Sequence, residues 1–308
     1  MKIIILGSAA GGGFPQWNCA CRMCAAARAG TPGVLPRTQS SVAVSADGIH
    51  WFLLNASPDV GQQLAQTPAL HPAGGVRHSP VAGVVLTNAD VDHIAGLLSL
   101  RERHAFSLYA TARVHQVLAA NPIFAVLNPE VVARRPLVLE EEAELMLPGG
   151  EPAGLIVTAV AVPGKVALWL EDAARADFGS VAGDSIGLRI ADPAGGSTFW
   201  YLPGCAAMPA GLAARLDGAD LLLFDGTTWR DDEMLRGGTG AKTGRRMGHM
   251  SMAGEDGSIA VLAGVNVARR IFIHINNTNP VLLPRSAERV AAAAAGWEIA
   301  WDGMEIDL

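Results

Sequence analysis

The chain reads as an α/β fold of layered sheets, a single domain over residues 1–308. Three observations carry this reading. Short β-rich apolar runs recur along the whole length, most of them ending in Gly, Pro, Asn or Asp. Segments of helical composition lie between those runs. No linker divides the chain and no repeat of fixed period appears. Strands interleaved with helices throughout favour one mixed, layered domain over separate helical and sheet parts.

The elements follow in order. The first strand is expected at 3–6, where Ile3-Ile4-Ile5-Leu6 runs into the glycines at 11–13. Further strands are expected at 41–45, 51–55, 81–86, 155–162, 186–190, 199–202, 221–224 and 271–275, all rich in aliphatic or aromatic residues. Helices are expected at 58–66, with Ser57 as N-cap and Pro58 in the first turn, and at 94–104, 112–120 and 286–295. Residues 237–244, Gly-Gly-Thr-Gly-Ala-Lys-Thr-Gly, read as a mobile loop, and 173–184 as a surface insertion.

Composition excludes several classes of function. Half of the 308 residues are apolar and 17% are charged, enough for a large core. A net charge of −6 with no basic block argues against nucleic acid as a partner. Aromatic residues, at 6%, provide no stacking platform for single strands. No apolar stretch approaches the roughly 18 residues of a membrane span. The opening Met1-Lys2-Ile3 is too close to glycines to hold a signal-peptide core. Four cysteines, three of them bunched, do not form a disulfide framework, so a cytoplasmic protein is expected.

Cys19-Ala20-Cys21-Arg22-Met23-Cys24 packs three thiols into six residues. Thiolates so spaced wrap one tetrahedral ion, most often Zn2+, with a fourth ligand from elsewhere. The alternative is three ordinary reduced thiols. A zinc at Cys19, Cys21 and Cys24 is structural, and it would staple the 11–13 loop, which has little side chain to pack. Cys205 stands alone and reads as a small core residue.

The second constellation is Thr87-Asn88-Ala89-Asp90-Val91-Asp92-His93, at the end of the apolar run 81–86. Asp92 and His93 are adjacent ligand types at a strand-to-helix junction. The bland alternative makes Asp92 a helix N-cap and His93 a first-turn residue. Far along the chain, Ile271-Phe272-Ile273-His274-Ile275-Asn276-Asn277-Thr278-Asn279-Pro280 places a histidine in an apolar strand. Such a histidine, if buried, needs a polar partner or a metal. Two histidines and one carboxylate on one ion with open positions are the donor set of non-haem Fe(II) oxygen chemistry.

Two more segments carry chemistry. Gly248-His249-Met250-Ser251 puts His249 where it serves as acid, base or substrate contact, or as a plain capping residue. Asp225-Gly226-Thr227-Thr228-Trp229 has the form of a site loop, with Asp225 as a hydrogen-bond acceptor behind a reacting group. His50, His71, His78, His104 and His115 have no partners in sequence and read as structural or solvated.

Together these segments resemble the metallo-β-lactamase superfamily. The carrying residues are Gly7-Ser8-Ala9-Ala10-Gly11-Gly12-Gly13-Phe14-Pro15-Gln16-Trp17-Asn18-Cys19, the 87–96 loop, Asp225-Gly226-Thr227, Met247-Gly248-His249-Met250 and the stretch 273–280. They span nearly the whole chain, and the resemblance is strongest to the branch that works in synthesis of pyrroloquinoline quinone (PQQ). It implies an αββα four-layer sandwich with metals at one edge of the paired sheets. Hydrolases of the superfamily carry a His-x-His-x-Asp-His loop. Carried over, its first histidine falls on Asn88, the second on Asp90, the aspartate on Asp92 and the last histidine on His93. A further histidine would fall near Gly164-Lys165 and a bridging aspartate near Gly204, and both are missing; the final histidine falls on His274.

The resemblance therefore implies one active-site metal, Fe(II), on Asp92, His93 and His274, where a two-metal hydrolase needs both ions. It implies an iron- and O2-dependent hydroxylase of the tyrosine ring in a cross-linked Glu–Tyr product cut from a ribosomal precursor peptide. His249 and Asp225 would steer protons or position carboxylates, and Asp90 would hydrogen-bond a ligand or metal-bound water. Other enzymes of the PQQ pathway are partners the resemblance allows. The alternatives are a metal-dependent hydrolase of phosphodiester or peptide links and a non-enzymatic carrier of PQQ or its precursor. Related phosphodiesterases hold a structural zinc on such a cysteine triplet, with a fourth ligand three residues beyond the last active-site histidine. Here that position is Asn277, so either another donor completes the zinc or His274 turns to the cysteines; the active site is the expected place for His274.

Overall fold

The computed structural model describes every residue except 173 and 176–178. The stretch 173–184, expected as a surface insertion, thus lies in part outside the described residues. Fourteen strands are described: β1 (Lys2–Gly7), β2 (Ser41–Ser45), β3 (Trp51–Leu54), β4 (Val81–Val85), β5 (Phe106–Thr111), β6 (Val132–Leu137), β7 (Glu142–Met146), β8 (Pro152–Ala161), β9 (Ile186–Asp192), β10 (Ser197–Leu202), β11 (Ala219–Asp225), β12 (Val267–Ile273), β13 (Trp297–Ile299) and β14 (Met304–Asp307). They form two seven-stranded sheets, ordered β14-β1-β2-β3-β4-β5-β6 and β13-β12-β11-β10-β9-β8-β7. Each sheet is mixed. β3 to β6 run parallel in the first and β10 to β13 in the second, and the remaining pairings are antiparallel.

The alternation of side chains across a strand explains the layering. In β1, Ile3 and Ile5 enter the core between the sheets, while Ile4 and Leu6 enter the core on the sheet's other face. In β11, Leu221 and Leu223 face the first sheet, while Leu222 and Phe224 join the opposite core. Apolar residues on both faces require cover on both faces. The cover is helical. Ala112–Ala120 buries Val114, Val117 and Leu118 on the outer face of the first sheet. Arg22–Arg28, Ala210–Arg215 and Ala287–Ala294 bury Cys24, Leu212 and Ala292 on the outer face of the second. The result is an αββα four-layer sandwich. No helix among the described residues is long and apolar enough to cross a membrane.

Several expectations need correction. The helix expected at 94–104 is a short turn of helix, Val91–Ile94, followed by a 3-10 stretch, Ala95–Leu100. Gly96 is the reason: its N–H donates to Ala56 O at 2.9 Å, and a Cβ there would lie 2.1 Å from Ser57 O. The backbone is locked against its neighbour and cannot continue the α-helical ladder. The helix expected from 58 is Val60–Gln66, with Asp59 and not Ser57 at the N-cap position. The Asp59 carboxylate instead accepts from Gln39 N at 2.9 Å and Gln39 Nε2 at 3.0 Å. Strands β5, β6, β7, β13 and β14 were not expected. β6 carries Arg134, Arg135 and Pro136, a composition tolerated because it lies at a sheet edge. The glycine stretch 237–244 is a loop, as expected, in which Thr239 N donates to Met234 O at 3.0 Å and Gly244 N to Asp231 O at 2.8 Å.

One polar knot fastens the first loop to the C-terminal strand region. Asp302 accepts from Ser8 N at 2.9 Å, Ser8 Oγ at 2.7 Å, Thr38 N at 2.5 Å and Thr38 Oγ1 at 2.8 Å. Burial raises the Asp302 carboxyl pKa, against the pull of these four donors and of Arg37. The Arg37 guanidinium, itself buried, is pushed down to about 10 by burial. Asp302→Ala orphans several donors and leaves Arg37 uncompensated. It should destabilise the fold by about 3 kcal/mol, read as a lower urea midpoint with an unchanged slope.

Candidate metal centre

Asp92 and His93 belong to the helical turn Val91–Ile94, which follows β4. His274 is the residue after β12 and has φ +59°. That left-handed conformation is costly for a non-glycine residue. It is held by Ile275 N, which donates to Ser8 O at 2.9 Å. The kink swings the imidazole off the strand and onto Asp92: His274 Nε2 lies 3.1 Å from Asp92 Oδ2. His93 Nε2 is 3.8 Å from the same oxygen. One donor atom from each of Asp92, His93 and His274 lies within 4.8 Å of the others. His274 thus sits with the carboxylate and not with the cysteines.

The tautomers follow from the hydrogen bonds. Asn88 Oδ1 accepts from Asp90 N at 3.0 Å, so it is a carbonyl oxygen, and His93 Nδ1, 2.7 Å away, must donate to it. His93 Nε2 then carries a lone pair. It is buried and has no hydrogen-bond partner. Such an orphaned acceptor facing a carboxylate and a second imidazole fits a cation. Thr227 Oγ1 donates to Asp225 Oδ1 at 2.7 Å and accepts from His274 Nδ1 at 2.9 Å, which leaves His274 Nε2 for the same cation.

Electrostatics set the two imidazoles apart. Burial drives the His93 pKa down to about 4, overriding the pull of Asp92, so the imidazole is neutral near pH 7. Burial also opposes ionisation of Asp92, yet His93 and His274 hold its carboxyl well below the usual carboxylate range. For His274, burial acts downward and Asp92 prevails, so its pKa is raised. Gly11 completes the cradle: a Cβ there would lie 3.3 Å from Asp92 Oδ2, so glycine lets the carboxylate approach the loop.

Asp225 and His249 form a second group with His274, yet Asp225 has no oxygen to spare. Oδ1 accepts from Thr227 N at 3.0 Å and from Thr227 Oγ1, and Oδ2 accepts from Cys205 N at 2.9 Å and from His249 Nδ1 at 2.7 Å. The pair is a hydrogen-bonded relay: Asp225 orients His249, whose ring stacks on His274 with centroids 5.1 Å apart. A Cβ on Gly204 would meet His249 Cε1 at 3.4 Å, so the ring occupies the space a longer side chain at 204 would need. Asp90 stands on the cavity wall. Its carboxylate accepts from Leu168 N at 3.3 Å and pairs with Lys165 Nζ at 3.5 Å. Asn88, Thr227, Gly11 and Lys165 act on the site without having been singled out for these roles. All four lie in segments the sequence singles out: Asn88 in the 87–93 loop, Gly11 in the glycine loop, Lys165 at Gly164-Lys165 and Thr227 in Asp225-Gly226-Thr227.

Cys19, Cys21 and Cys24 bring their sulfurs within 4.8 Å of one another. Asn277, buried, turns its amide to them, with Nδ2 3.3 Å from Cys24 Sγ and 3.8 Å from Cys21 Sγ. Burial and the adjacent thiols push Cys21 up to about 11. For Cys19 burial is the largest influence but is overcome by hydrogen bonds from Cys21 and its neighbours, so its pKa is lowered. Three thiols around one point, with a fourth polar group opposite, fit a tetrahedral Zn2+. Cys205 is buried apart from them, its thiol pushed up to about 12 by burial and by Asp225. His50 pairs with Asp47, His71 and His115 contact main-chain oxygens, and His78 packs edge-on to His104.

Four layers, and a metal-donor set at the strand ends where the two sheets meet, define a metal site of the metallo-β-lactamase type. A family profile described as Beta-lactamase superfamily domain matches residues 50–275. The chain is 53% identical over 309 aligned residues, all of both proteins, to coenzyme PQQ synthesis protein B of Rhodopseudomonas palustris strain TIE-1. It is 55% identical over 308 residues to the protein of that name from Methylobacterium sp. strain 4-46, again over the whole of both. The crystal structure of Zn2+-bound PqqB from Methylobacterium extorquens superposes with a TM-score of 0.95 at 52% identity, covering all of both chains. A diphosphatase of the PhnP family shares the fold at 20% identity and a TM-score of 0.69, covering 99% of this chain and 96% of that one. The chain belongs to the metallo-β-lactamase superfamily and, within it, to the coenzyme PQQ synthesis protein B family.

Two measurements check the site. Asn88→Ala frees the His93 tautomer and should weaken active-site metal binding by about 10- to 100-fold with little change in melting temperature, read by metal titration. In protein supplied with zinc, Cys21→Ser should lose uptake at the thiols and lower the melting temperature, with uptake at Asp92, His93 and His274 unchanged.

Proposed function

We propose that this protein acts in PQQ biosynthesis as a mononuclear non-haem iron hydroxylase of the tyrosine ring in the cross-linked Glu–Tyr precursor. The PQQ synthesis role rests on the names of relatives aligned over the full chain. The chemistry rests on one observation: His93 Nε2, buried and without a partner, faces Asp92 and His274. This is a two-histidine, one-carboxylate donor set, and the residues flanking it are engaged elsewhere. Asn88 is held by His93 and Asp90 N, and Asp90 is held by Lys165 and Leu168 N.

Asp92, His93 and His274 would hold the iron, and Cys19, Cys21 and Cys24, facing Asn277, a structural zinc. The iron, when bound, supplies activation of O2 for oxygen insertion into the ring. The protein's own residues do the rest. Asp225 fixes His249 with Nδ1–H toward its carboxylate, which leaves His249 Nε2 as the proton acceptor in the cavity. A phenol placed there gives its O–H proton to Nε2, and the Asp225 carboxylate stabilises the imidazolium that forms. Leu168 and Met247 on the cavity wall offer the ring an apolar surface.

The rival reading is a two-metal hydrolase. The group Asp225, His249 and His274 is what favours it. The saturated Asp225 carboxylate and the single free nitrogen on His274 weigh against it. A carrier of PQQ or its precursor leaves the His249–Asp225 relay without a task.

The deciding experiment supplies the purified protein with Fe(II), the cross-linked Glu–Tyr substrate and a two-electron reductant such as ascorbate, which takes the second oxygen atom to water, with and without O2. Oxygen-dependent gain of oxygen on the ring, seen by mass spectrometry, is expected. Turnover in strict anaerobiosis, or no product with iron fully loaded, overturns the reading. Asp92→Ala and His93→Ala should lose active-site metal and product together. His249→Gln should keep the metal and slow turnover by about 100-fold or more.

A further inference from the structure

A guanidinium stands in the outer core of the first sheet where the strand pattern calls for an apolar side chain. Alternation along β6 sends Val132 into the core on the sheet's outer face and Leu137 into the core between the sheets. Arg134 pairs with Leu108 across the ladder and so shares the outer face, where Leu108 is fully buried. The helix Ala112–Ala120 and the 3-10 turn Pro122–Val126 border a cleft on this face, about 440 Å3 in volume. Leu118, Pro122, Phe124 and Leu127 give it apolar walls, and His115 and Arg134 are its basic groups. Among the described residues no acid lines it, and it shares no lining residue with the metal cavity.

A long cationic side chain ordinarily buries its stem and keeps its head in water. Arg134 does not. Its Nη1 is buried and has no hydrogen-bond partner. Its Nη2 donates to Leu127 O at 3.4 Å, beyond the usual range for such a bond, so little holds the guanidinium against turning to an anion in the cleft. Burial lowers the Arg134 pKa, and no carboxylate opposes it. His115 provides no counter-charge: burial, and then Arg134, lower its pKa against the pull of Arg135 O, so it is neutral near pH 7. An unanswered charge withdrawn from water is costly, and a ligand of opposite charge removes that cost. The cleft also defines the ligand. One guanidinium matches one carboxylate in a flat, two-pronged pair. A dianionic phosphate would bring more charge against the apolar walls than one guanidinium offsets. The walls themselves suit an apolar body. We propose that this cleft is a second binding site, for a small apolar monocarboxylic acid, in which Arg134 receives the carboxylate and Leu118, Phe124 and Leu127 receive the body. The site is separate from the metal centre and does not depend on the reaction assigned there.

The test uses octanoate as the probe acid and octanamide as its neutral match, each titrated by calorimetry into the whole chain. In the wild type the acid is expected to bind at least about 10-fold more tightly than the amide. Arg134→Gln should cut that gap to about 3-fold or less by weakening the acid alone, and Arg134→Lys should keep part of it. Arg134→Met gives an independent readout. Without ligand it should melt at a higher temperature than the wild type, because it removes an unanswered charge from an apolar site. Octanoate, which should raise the melting temperature of the wild type, should not raise that of Arg134→Met. Equal binding of acid and amide by the wild type overturns the proposal. So does a gap that survives Arg134→Gln, since the acid then sits at another place, such as the metal centre. Inorganic sulfate bound as tightly as octanoate overturns the apolar class of ligand. A lower melting temperature for Arg134→Met, or failure of both neutral variants to fold, makes Arg134 a structural tie to Leu127 and overturns the site.

Discussion

A carboxylate largely withdrawn into a protein has to be balanced by something fixed in place. Asp92, its side chain 18% exposed, is that carboxylate, and the site is arranged around it. Two imidazoles converge on its Oδ2, and each is anchored through its other nitrogen, His93 on Asn88 and His274 on Thr227. The anchors decide where the ring protons sit. They point both lone pairs inward, so that the balancing charge falls to a cation. Gly11 gives up its side chain to let the carboxylate in, and His274 accepts a left-handed backbone to aim its ring. Strain at one residue and an orphaned acceptor at another are costs that the surrounding framework must carry.

The framework carries them because of how the sheets are oriented. The parallel halves of both sheets end at the same place. Asn55 follows β3, the 87–93 loop follows β4, Cys205 follows β10, Asp225 closes β11 and His274 follows β12. Each half contributes loops at its carboxyl end, where outgoing backbone has groups free to point at a ligand. Within the first sheet, Asn55 donates to Thr87 Oγ1 at 2.9 Å and accepts from Thr87 N at 2.9 Å, a clamp that fixes the start of the metal loop. The clamp needs Asn55 at φ +63°, a conformation asparagine tolerates better than most residues.

The same framework engages the residues that flank the donor set. Asn88 cannot replace a histidine as a strong ligand, but its carbonyl oxygen is well placed to orient one. Asp90 pairs with Lys165 and accepts from Leu168 N. Gly204 leaves space, and His249 fills it. The cysteine cluster sits on the same chain segment as Gly11, and Asn277 lies three residues beyond His274. The thiol cluster and the Asp92, His93 and His274 group thus share the segment after β1 and the segment after β12.

Much of this was legible in the residues. Alternating aliphatics marked nine of the fourteen strands because period-two burial leaves a direct trace. The strands that were not legible are polar, carry proline, or are three to six residues long, and they exist because a neighbour offers a hydrogen-bonding edge. The three thiols and the Asp92-His93 pair were legible because their donors are adjacent along the chain. What sequence alone determined was therefore local: strand pattern, the capped helices at 112–120 and 286–295, and the kinds of atoms available for a metal. Only the tertiary structure decided which donors meet. The contact between Asp92 and His274 spans 182 residues, and the tautomers, the saturation of Asp225 and the capture of Asp90 by Lys165 depend on distances that no local periodicity encodes.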